Sequence, residues 1–158
     1  SETMSIGVAI STYNRERCLR DLVDTLPFDK LDYVVVVKDG GEEYEFNDKR
    51  VEFIDMLGNH GVSTSKNIGL AMLAKNNIEH MFLLDDDMIV KHDDAFDIYI
   101  KTALTTGVYH LLFSRFKNSE MVHSDVIHLD LWTRCCGAFM YVHKGVVRHV
   151  GDFDQRFV

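Results

Sequence analysis

Apolar and polar positions follow two alternating periods along the first hundred residues. Short apolar runs typical of buried strands occupy Ile6–Ser11, Tyr33–Val37, Val51–Ile54 and Met81–Leu84. The second run contains four consecutive valines, which is typical of a strand covered on both faces. We therefore predict four strands in this part of the chain.

Between these runs the apolar residues recur at helical spacing. A first helix is predicted from Arg15, capped by Asn14 and closed by Pro27. A second helix is predicted to be capped by Ser63 or Thr64, and a third to be closed by Gly107. The second helix is predicted to carry Ile68, Met72 and Leu73 towards the core. The residues at helical spacing that mark the first and third helices are Cys18, Leu19, Leu22, Val23 and Leu26; and Ala95, Phe96, Tyr99, Ile100, Ala103 and Leu104.

Further strands are predicted at Tyr109–Phe113, Met121–Ile127 and Gly137–His143, followed by a helix at Lys144–Val150. The alternation of strands and helices predicts an α/β fold, with a mostly parallel central sheet flanked by helices. Residues 1–158 are predicted to form one domain. Residues 1–3, which precede a methionine and could be a cloning remnant, are left out of the fold.

Polar clusters stand where four of these segments end or turn, and ligands of such sheets bind beyond the carboxyl ends of the strands. The clusters therefore predict a single site at one edge of the sheet. They are Thr12–Arg15, Asp39–Gly41, Gly58–Gly61 and Asp85–Asp87.

The Asp85–Asp87 triplet follows an apolar run directly, so three adjacent carboxylates are predicted to repel one another at the sheet edge. A hard divalent cation, Mn²⁺ or Mg²⁺, would relieve this repulsion, because both prefer oxygen ligands. The alternative is a solvated acidic turn that precedes a helix.

The remaining clusters could hold a nucleotide. Asp39 could accept hydrogen bonds from a base or ribose, or its role could be only to form the turn with the glycines that follow it. Thr12 and Tyr13 could line a base pocket, although Tyr13 could also pack between the first strand and its helix. Arg15 lies at a helix start, where an anion is favoured, which indicates a bound phosphate or a neighbouring acid.

Lys66 and Asn67 open the second helix near the same edge and could reach a phosphate, although a solvated lysine is the more common case. No glycine-rich phosphate loop of the P-loop or dinucleotide type is present. His123 or His128 could approach a metal, but a lone histidine is usually structural.

Composition narrows the class of partner. A net charge of −8 argues against nucleic acid, which requires a basic surface. No apolar run reaches the roughly 20 residues that cross a bilayer, and no signal peptide is visible. These absences, with three cysteines that we interpret as structural thiols, predict a cytoplasmic protein; they are Cys18, Cys135 and Cys136.

Taken in order, the motifs resemble those of glycosyltransferase family 2, whose members have the GT-A fold. The resemblance runs from about Ser5 to Phe157. It rests on VAISTYNRERCLRDLVDTL, VVVVKDGG, GNHGVSTSKNIGL, LLDDDM and CCGAFMYVHKGVVRHVGDFDQRF.

The resemblance implies transfer of a sugar from a nucleotide-diphosphate donor to an acceptor hydroxyl, with inversion. UDP-sugars are the commonest donors, with GDP- and dTDP-sugars open. It implies that Asp87 is the principal metal ligand, with Asp85 also assigned to the metal, and that Asp85 and Asp86 face ribose and phosphate. The nucleoside would be held by Thr12, Tyr13, Arg15 and Asp39, and Lys66 would stand where many members have arginine.

Two departures from the family pattern bear on this interpretation. Lys38 stands where an acidic residue is common, and the Glu-Asp motif that supplies the catalytic base would fall beyond Val158. The catalytic residue is therefore unknown, and the weak candidates are Asp154, Asp152, Asp125 and Asp130. The open hypotheses are an enzyme, a metal- and nucleotide-binding module or donor half without a base of its own, and an α/β domain whose acidic edge contacts proteins.

Overall fold

The computed structural model describes residues 4–115, 117–122 and 129–156. A six-stranded sheet forms its centre, built from β1 (Ile6–Thr12), β2 (Tyr33–Lys38), β3 (Glu52–Asp55), β4 (His80–Asp85), β5 (His110–Arg115) and β8 (Cys135–His143). Two short strands, β6 (Met121–Val122) and β7 (Leu131–Trp132), pair separately. The helices are α1 (Glu16–Asp24), α2 (Val62–Lys75), α3 (Ala95–Thr106) and α4 (Lys144–Val150), and a 3-10 turn spans Phe28–Lys30.

The strand order is β3-β2-β1-β4-β8-β5. The first four strands of this order are parallel, whereas β8 runs antiparallel to both β4 and β5. The predicted mostly parallel α/β sheet is confirmed. Because β8 is reversed, its first residues lie at the same edge as the carboxyl ends of β1, β2 and β4.

The sheet is covered on both faces, and β2 shows the alternation. Val34 and Val36 pack with α1 and α3, whereas Val35 and Val37 pack with α2 and α4. All four valines are buried, as the run of apolar residues predicted. The strands whose ends carry the predicted site are therefore packed against helices on both faces of the sheet.

Helix α2 lies unusually close to β1. A Cβ atom at Gly69 would come within 2.7 Å of the Cβ of Ala9, so only glycine fits at this contact. Leu70 and the predicted Leu73 are buried on this side, while the predicted Ile68 and Met72 are partly buried against the same core.

The predicted helix caps are partly wrong. Arg15, not Asn14, occupies the N-cap position of α1, and its side chain forms no cap hydrogen bond. Asn14 instead has a positive φ of 52° and accepts a hydrogen bond from the Glu42 amide, which ties two loops of the sheet edge together. Pro27 does not close α1, which ends at Asp24, but precedes the 3-10 turn.

Helix α2 begins earlier than predicted, with Gly61 at its N-cap in place of Ser63 or Thr64. The φ of Gly61 is 92°, which favours glycine over any residue with a side chain. The predicted closure of α3 by Gly107 is confirmed, since this residue is the left-handed C-cap. Within the described part of the chain, no helix is both long and apolar enough to span a membrane.

Candidate functional site

A cavity of about 340 Å³ opens at the sheet edge where β1, β2 and β4 end. The first turns of α2 and the start of β8 complete its walls. Six of the predicted site residues line it: Thr12, Tyr13, Arg15, Asp39, Lys66 and Asp85. The sheet topology thus brings together residues that are up to 73 positions apart in the sequence.

Asp39 follows β2 and is almost fully buried. Its two carboxylate oxygens accept hydrogen bonds from the backbone amides of His60 and Gly61, at 2.7 and 3.0 Å. The carboxylate therefore fixes the loop before α2 while it also borders the cavity. A carboxylate can accept further hydrogen bonds from a ligand, because its two oxygens offer about four lone-pair positions.

The outer carboxylates of the acidic triplet each contact a cation of this chain. Lys66 Nζ donates to Asp85 Oδ1 at 2.9 Å, and Arg15 Nη1 donates to Asp87 Oδ2 at 3.0 Å. Asp85 is partly exposed and Asp87 is exposed, so both can be reached from solvent. Asp87 lies beside the cavity and is not part of its lining.

Asp86 points the other way and is completely buried. Thr12 Oγ1 donates to its Oδ2 at 2.8 Å, and Arg15 Nε lies 3.1 Å from its Oδ1, which accepts no hydrogen bond. Burial raises the pKa of the Asp86 carboxyl, against the opposing effects of Thr12 and Arg15. The contact of Asp86 with ribose or phosphate stays a prediction, and its present partners are the last residue of β1 and the N-cap residue of α1.

Asn67 is also engaged within the protein. Its Nδ2 donates to the Phe153 carbonyl at 2.7 Å, and its Oδ1 accepts from the Phe153 amide at 2.8 Å. Binding of a nucleotide by Asn67 stays a prediction, since both ends of its amide already have partners.

The three candidate bases within the described residues, Asp130, Asp152 and Asp154, are not part of the lining of this cavity. Asp152 borders a separate apolar cavity that is also lined by Phe153 and Leu70. Asp154 forms an ion pair with Arg156, which lowers the pKa of its carboxyl through a side-chain hydrogen bond. Asp130 is exposed and borders a third cavity. Asp125, His123 and His128 lie outside the described residues.

One wall of the cavity consists of residues that the sequence did not indicate. Cys136, Gly137 and Ala138, at the start of β8, face the ends of the parallel strands, and Ser65 joins them from α2. No motif in the sequence marks these residues as part of a site, and the reversed direction of β8 brings its first residues to this edge. All three cysteines are unpaired and partly buried, and their interpretation as structural thiols stays a prediction.

The carboxylate oxygens of the acidic triplet fit a hard divalent cation that takes its other ligands from outside the protein. Asp85 and Asp87 offer accessible carboxylate oxygens, but among residues 4–115, 117–122 and 129–156 no three His, Cys, Asp or Glu side chains group to hold a metal alone. Mg²⁺-type cations are commonly held by one or two carboxylates, with phosphates and water as the other ligands. The residues therefore fit a cation that arrives with a phosphate compound.

Comparison with known proteins supports the resemblance drawn from the motifs. An uncharacterized glycosyltransferase of Acanthamoeba polyphaga mimivirus is 27% identical over 172 aligned positions, covering 95% of this chain. This chain spans 66% of that relative's length. No family model matches the sequence.

Solved structures show that the fold is of the GT-A type. TarS of S. aureus in complex with UDP-GlcNAc has a TM-score of 0.66 at 17% identity, over 96% of this chain and 49% of that one. Mannosyltransferase PcManGT from Pyrobaculum calidifontis, in complex with GDP-Man and Mn²⁺, has a TM-score of 0.67 at 15% identity, over 95% and 47%.

The same fold also occurs in a nucleotidyltransferase. The 4-diphosphocytidyl-2C-methyl-D-erythritol synthase from Anaerococcus prevotii has a TM-score of 0.62 at 13% identity, over 93% of this chain and 73% of that one. The GT-A-like fold is thereby confirmed, and this chain corresponds to about half of each glycosyltransferase structure.

Proposed function

We propose that this chain is the donor-binding part of a glycosyltransferase that takes a sugar from a nucleotide diphosphate with the help of Mn²⁺ or Mg²⁺. The observation that carries the proposal is the convergence of Tyr13, Arg15, Asp39, Lys66 and Asp85 on one cavity. The glycosyltransferase relative and the two enzyme structures with bound nucleotide sugars support it.

The polar groups of the cavity suit the parts of such a donor. Asp39 and Thr12 can accept hydrogen bonds from the nucleoside, and the exposed ring of Tyr13 can stack on its base. Lys66 and Arg15 supply positive charge for the diphosphate. UDP-sugars are the first donors to test, with GDP- and dTDP-sugars next.

The proposed reaction is displacement at the anomeric carbon by an acceptor hydroxyl, with inversion. Asp87 and Asp85 would hold the divalent cation, which would neutralise charge on the departing diphosphate. Arg15 and Lys66 would add to that neutralisation, because they can leave their carboxylate partners for phosphate oxygens. A carboxylate would accept the proton of the acceptor hydroxyl.

A non-catalytic binding module is the second candidate, and the position of the acids favours it. Asp152 borders a different cavity, and Asp154 is bound by Arg156. Within the described residues, no carboxylate in the donor cavity lacks a partner, because Asp39 holds the α2 loop and Asp85 pairs with Lys66. The acid that accepts the proton is therefore left open in this proposal.

Calorimetric titration of UDP, GDP, dTDP and CTP, each with and without Mn²⁺, tests the proposal. We expect one diphosphate to bind only with the metal, and Asp87→Asn to weaken it at least about tenfold, or about 1.4 kcal/mol. Asp93→Asn removes the same charge from an exposed position of the same loop and should leave binding unchanged.

Several results would change the assignment. Tight binding of CTP alone would favour nucleotidyl transfer, and the absence of any nucleotide binding would leave only the fold. Hydrolysis of the matching nucleotide sugar by wild type, lost in Asp87→Asn, would separate the enzyme from the binding module.

A further inference from the structure

Each carboxylate of the acidic triplet already faces a positive charge of this chain. Lys66 pairs with Asp85 at 2.9 Å, while Arg15 spans the other two, at 3.1 Å from Asp86 and 3.0 Å from Asp87. Lys66 and Arg15, which can bind a diphosphate, thus form ion pairs with the carboxylates that can bind a metal.

The position of Arg15 is set by Asp86. This carboxylate is completely buried and receives the Thr12 hydroxyl at 2.8 Å, so it has little freedom to move. Arg15 Nε contacts the buried carboxylate, and Nη1 of the same planar guanidinium reaches Asp87. The Arg15 side chain is half exposed, which leaves it open to a ligand.

We propose that Arg15 is a built-in counter-cation of Asp87, positioned by the buried Asp86, and that it excludes a divalent cation until a diphosphate draws it away. The proposal rests on the proposed function, because it takes Asp87 as the metal ligand. It adds that metal and nucleotide bind with positive coupling, through an exchange of partners at one arginine.

The chemistry of arginine supports the exchange. A guanidinium forms paired hydrogen bonds with carboxylates and with phosphates alike, so transfer to the donor replaces the contact that it loses. A metal without a diphosphate would have to displace Arg15 with no such replacement, and the two like charges would repel at close range. The affinity of the chain for metal alone is therefore expected to be low.

The proposal predicts effects of opposite sign from one substitution. Arg15→Gln should strengthen Mn²⁺ binding in the absence of nucleotide, by at least about fivefold, the lower end of typical coupling between sites. The same variant should bind the nucleotide diphosphate more weakly in the presence of Mn²⁺. A residue with only a structural role would weaken both.

Free Mn²⁺ can be measured by electron paramagnetic resonance at low ionic strength for wild type, Arg15→Gln and the double variant Arg15→Gln/Asp87→Asn. Arg17→Gln is the matched control, because it removes the same charge from an exposed position in α1. We expect the affinity for Mn²⁺ to rise in the single variant Arg15→Gln, and this rise to be absent in the double variant and in Arg17→Gln. Thr12→Val, which removes the hydrogen bond to Asp86, should give a smaller gain in the same direction.

An unchanged or reduced Mn²⁺ affinity in Arg15→Gln would overturn the proposal, as would an equal gain in Arg17→Gln. If wild type binds nucleotide through Asp87 and Arg15→Gln shows no gain, the proposed function stands and the counter-cation falls. If Arg15→Gln gains Mn²⁺ affinity through Asp87 but no nucleotide binds wild type, the exclusion of metal by Arg15 stands, whereas the coupling to a diphosphate and the donor site both fall.

Discussion

Asn67, in the second turn of α2, holds the backbone of Phe153 at both its amide and its carbonyl, across 86 positions of the sequence. Gly151, with a φ of 92°, turns the chain back after α4 so that this contact can form. The side chain next to Asn67, that of Lys66, contacts Asp85. One helical turn therefore connects the acidic triplet to the segment that follows α4.

Asn67→Ala should destabilise the fold, because it leaves the partly buried backbone of Phe153 without either partner. We expect a loss of about 2 kcal/mol in the free energy of unfolding, from two hydrogen bonds of about 1 kcal/mol each. Urea denaturation measures this loss. Asn76→Ala is the control, since Asn76 is exposed at the C-cap of the same helix, where its side chain donates to the Met72 carbonyl; an equal loss there would contradict the assignment.

His80 should make stability depend on pH. It is buried and bonded to the Tyr141 hydroxyl at 2.9 Å, and burial lowers the pKa of its ring, with Glu79 opposing and His143 and Lys144 adding to the shift. Above about pH 6.5, the pKa of an unfolded histidine, both states are neutral and the residue contributes no dependence. Below this pH, His80 takes up a proton more readily in the unfolded chain than in the folded one, so the free energy of unfolding decreases as the pH decreases.

Denaturation at several values between pH 7.5 and 5 can isolate this effect. We expect the free energy of unfolding of His80→Gln to fall less steeply with decreasing pH than that of wild type. Glu79, whose carboxyl pKa is lowered by a hydrogen bond from His143, adds to the slope in both proteins mainly below this range, where an unfolded glutamate takes up its proton. Parallel slopes for the two proteins would assign the whole dependence to other groups.

Lys38 is a buried lysine whose ammonium donates to Asp55 Oδ2 at 3.0 Å. Asp55→Asn keeps the acceptor for the Leu57 amide but removes the charge that faces Lys38. We expect the free energy of unfolding to fall by about 2 kcal/mol. This is less than the usual loss of about 3–5 kcal/mol for a fully buried pair, because Asp55 is partly exposed.

The double variant Lys38→Met/Asp55→Asn should recover most of that stability, because methionine fills the site without a charge. Thermal denaturation of the single and double variants gives the coupling energy. If the double variant is no more stable than Asp55→Asn, the buried charge is not the source of the cost.

Gly69→Ala should destabilise the protein although alanine is the better helix former. The added methyl group would approach Ala9 at 2.7 Å, which forces α2 away from β1. Overpacking of this kind costs about 1–3 kcal/mol, against a gain of about 1 from helix propensity. Ala9→Gly in the same background should restore stability in urea denaturation, and failure to do so would place the strain elsewhere.

The strands and the edge that carries the site were predictable because a buried strand needs only a run of apolar residues. The valines of β2 and the acidic triplet after β4 are examples. The direction of β8 was not predictable, since an apolar period is the same in either direction. The small residues Cys136, Gly137 and Ala138 were therefore missed.

The roles within the acidic triplet were equally hidden in the sequence. Three identical letters give no indication that the middle side chain turns inward to Thr12 while its neighbours face solvent. The cap of α2 was misassigned for a related reason. Ser63 and Thr64 have the usual chemistry of an N-cap, but a turn with a positive φ at Gly61 begins the helix at Val62, before either residue.

The reversal of β8 divides the cavity into two parts with different tolerance of mutation. The acidic triplet, Lys66 and Arg15 hold one another, so a change in any of them disturbs the rest. The opposite wall is the backbone of β8 with the small side chains of Cys136 and Ala138, and a Cβ at Gly137 would meet only the tip of Met140, at 3.4 Å. For the proposed donor, we therefore expect natural variation along β8 to reshape the uncharged part of the cavity one residue at a time, while the charged part stays constant.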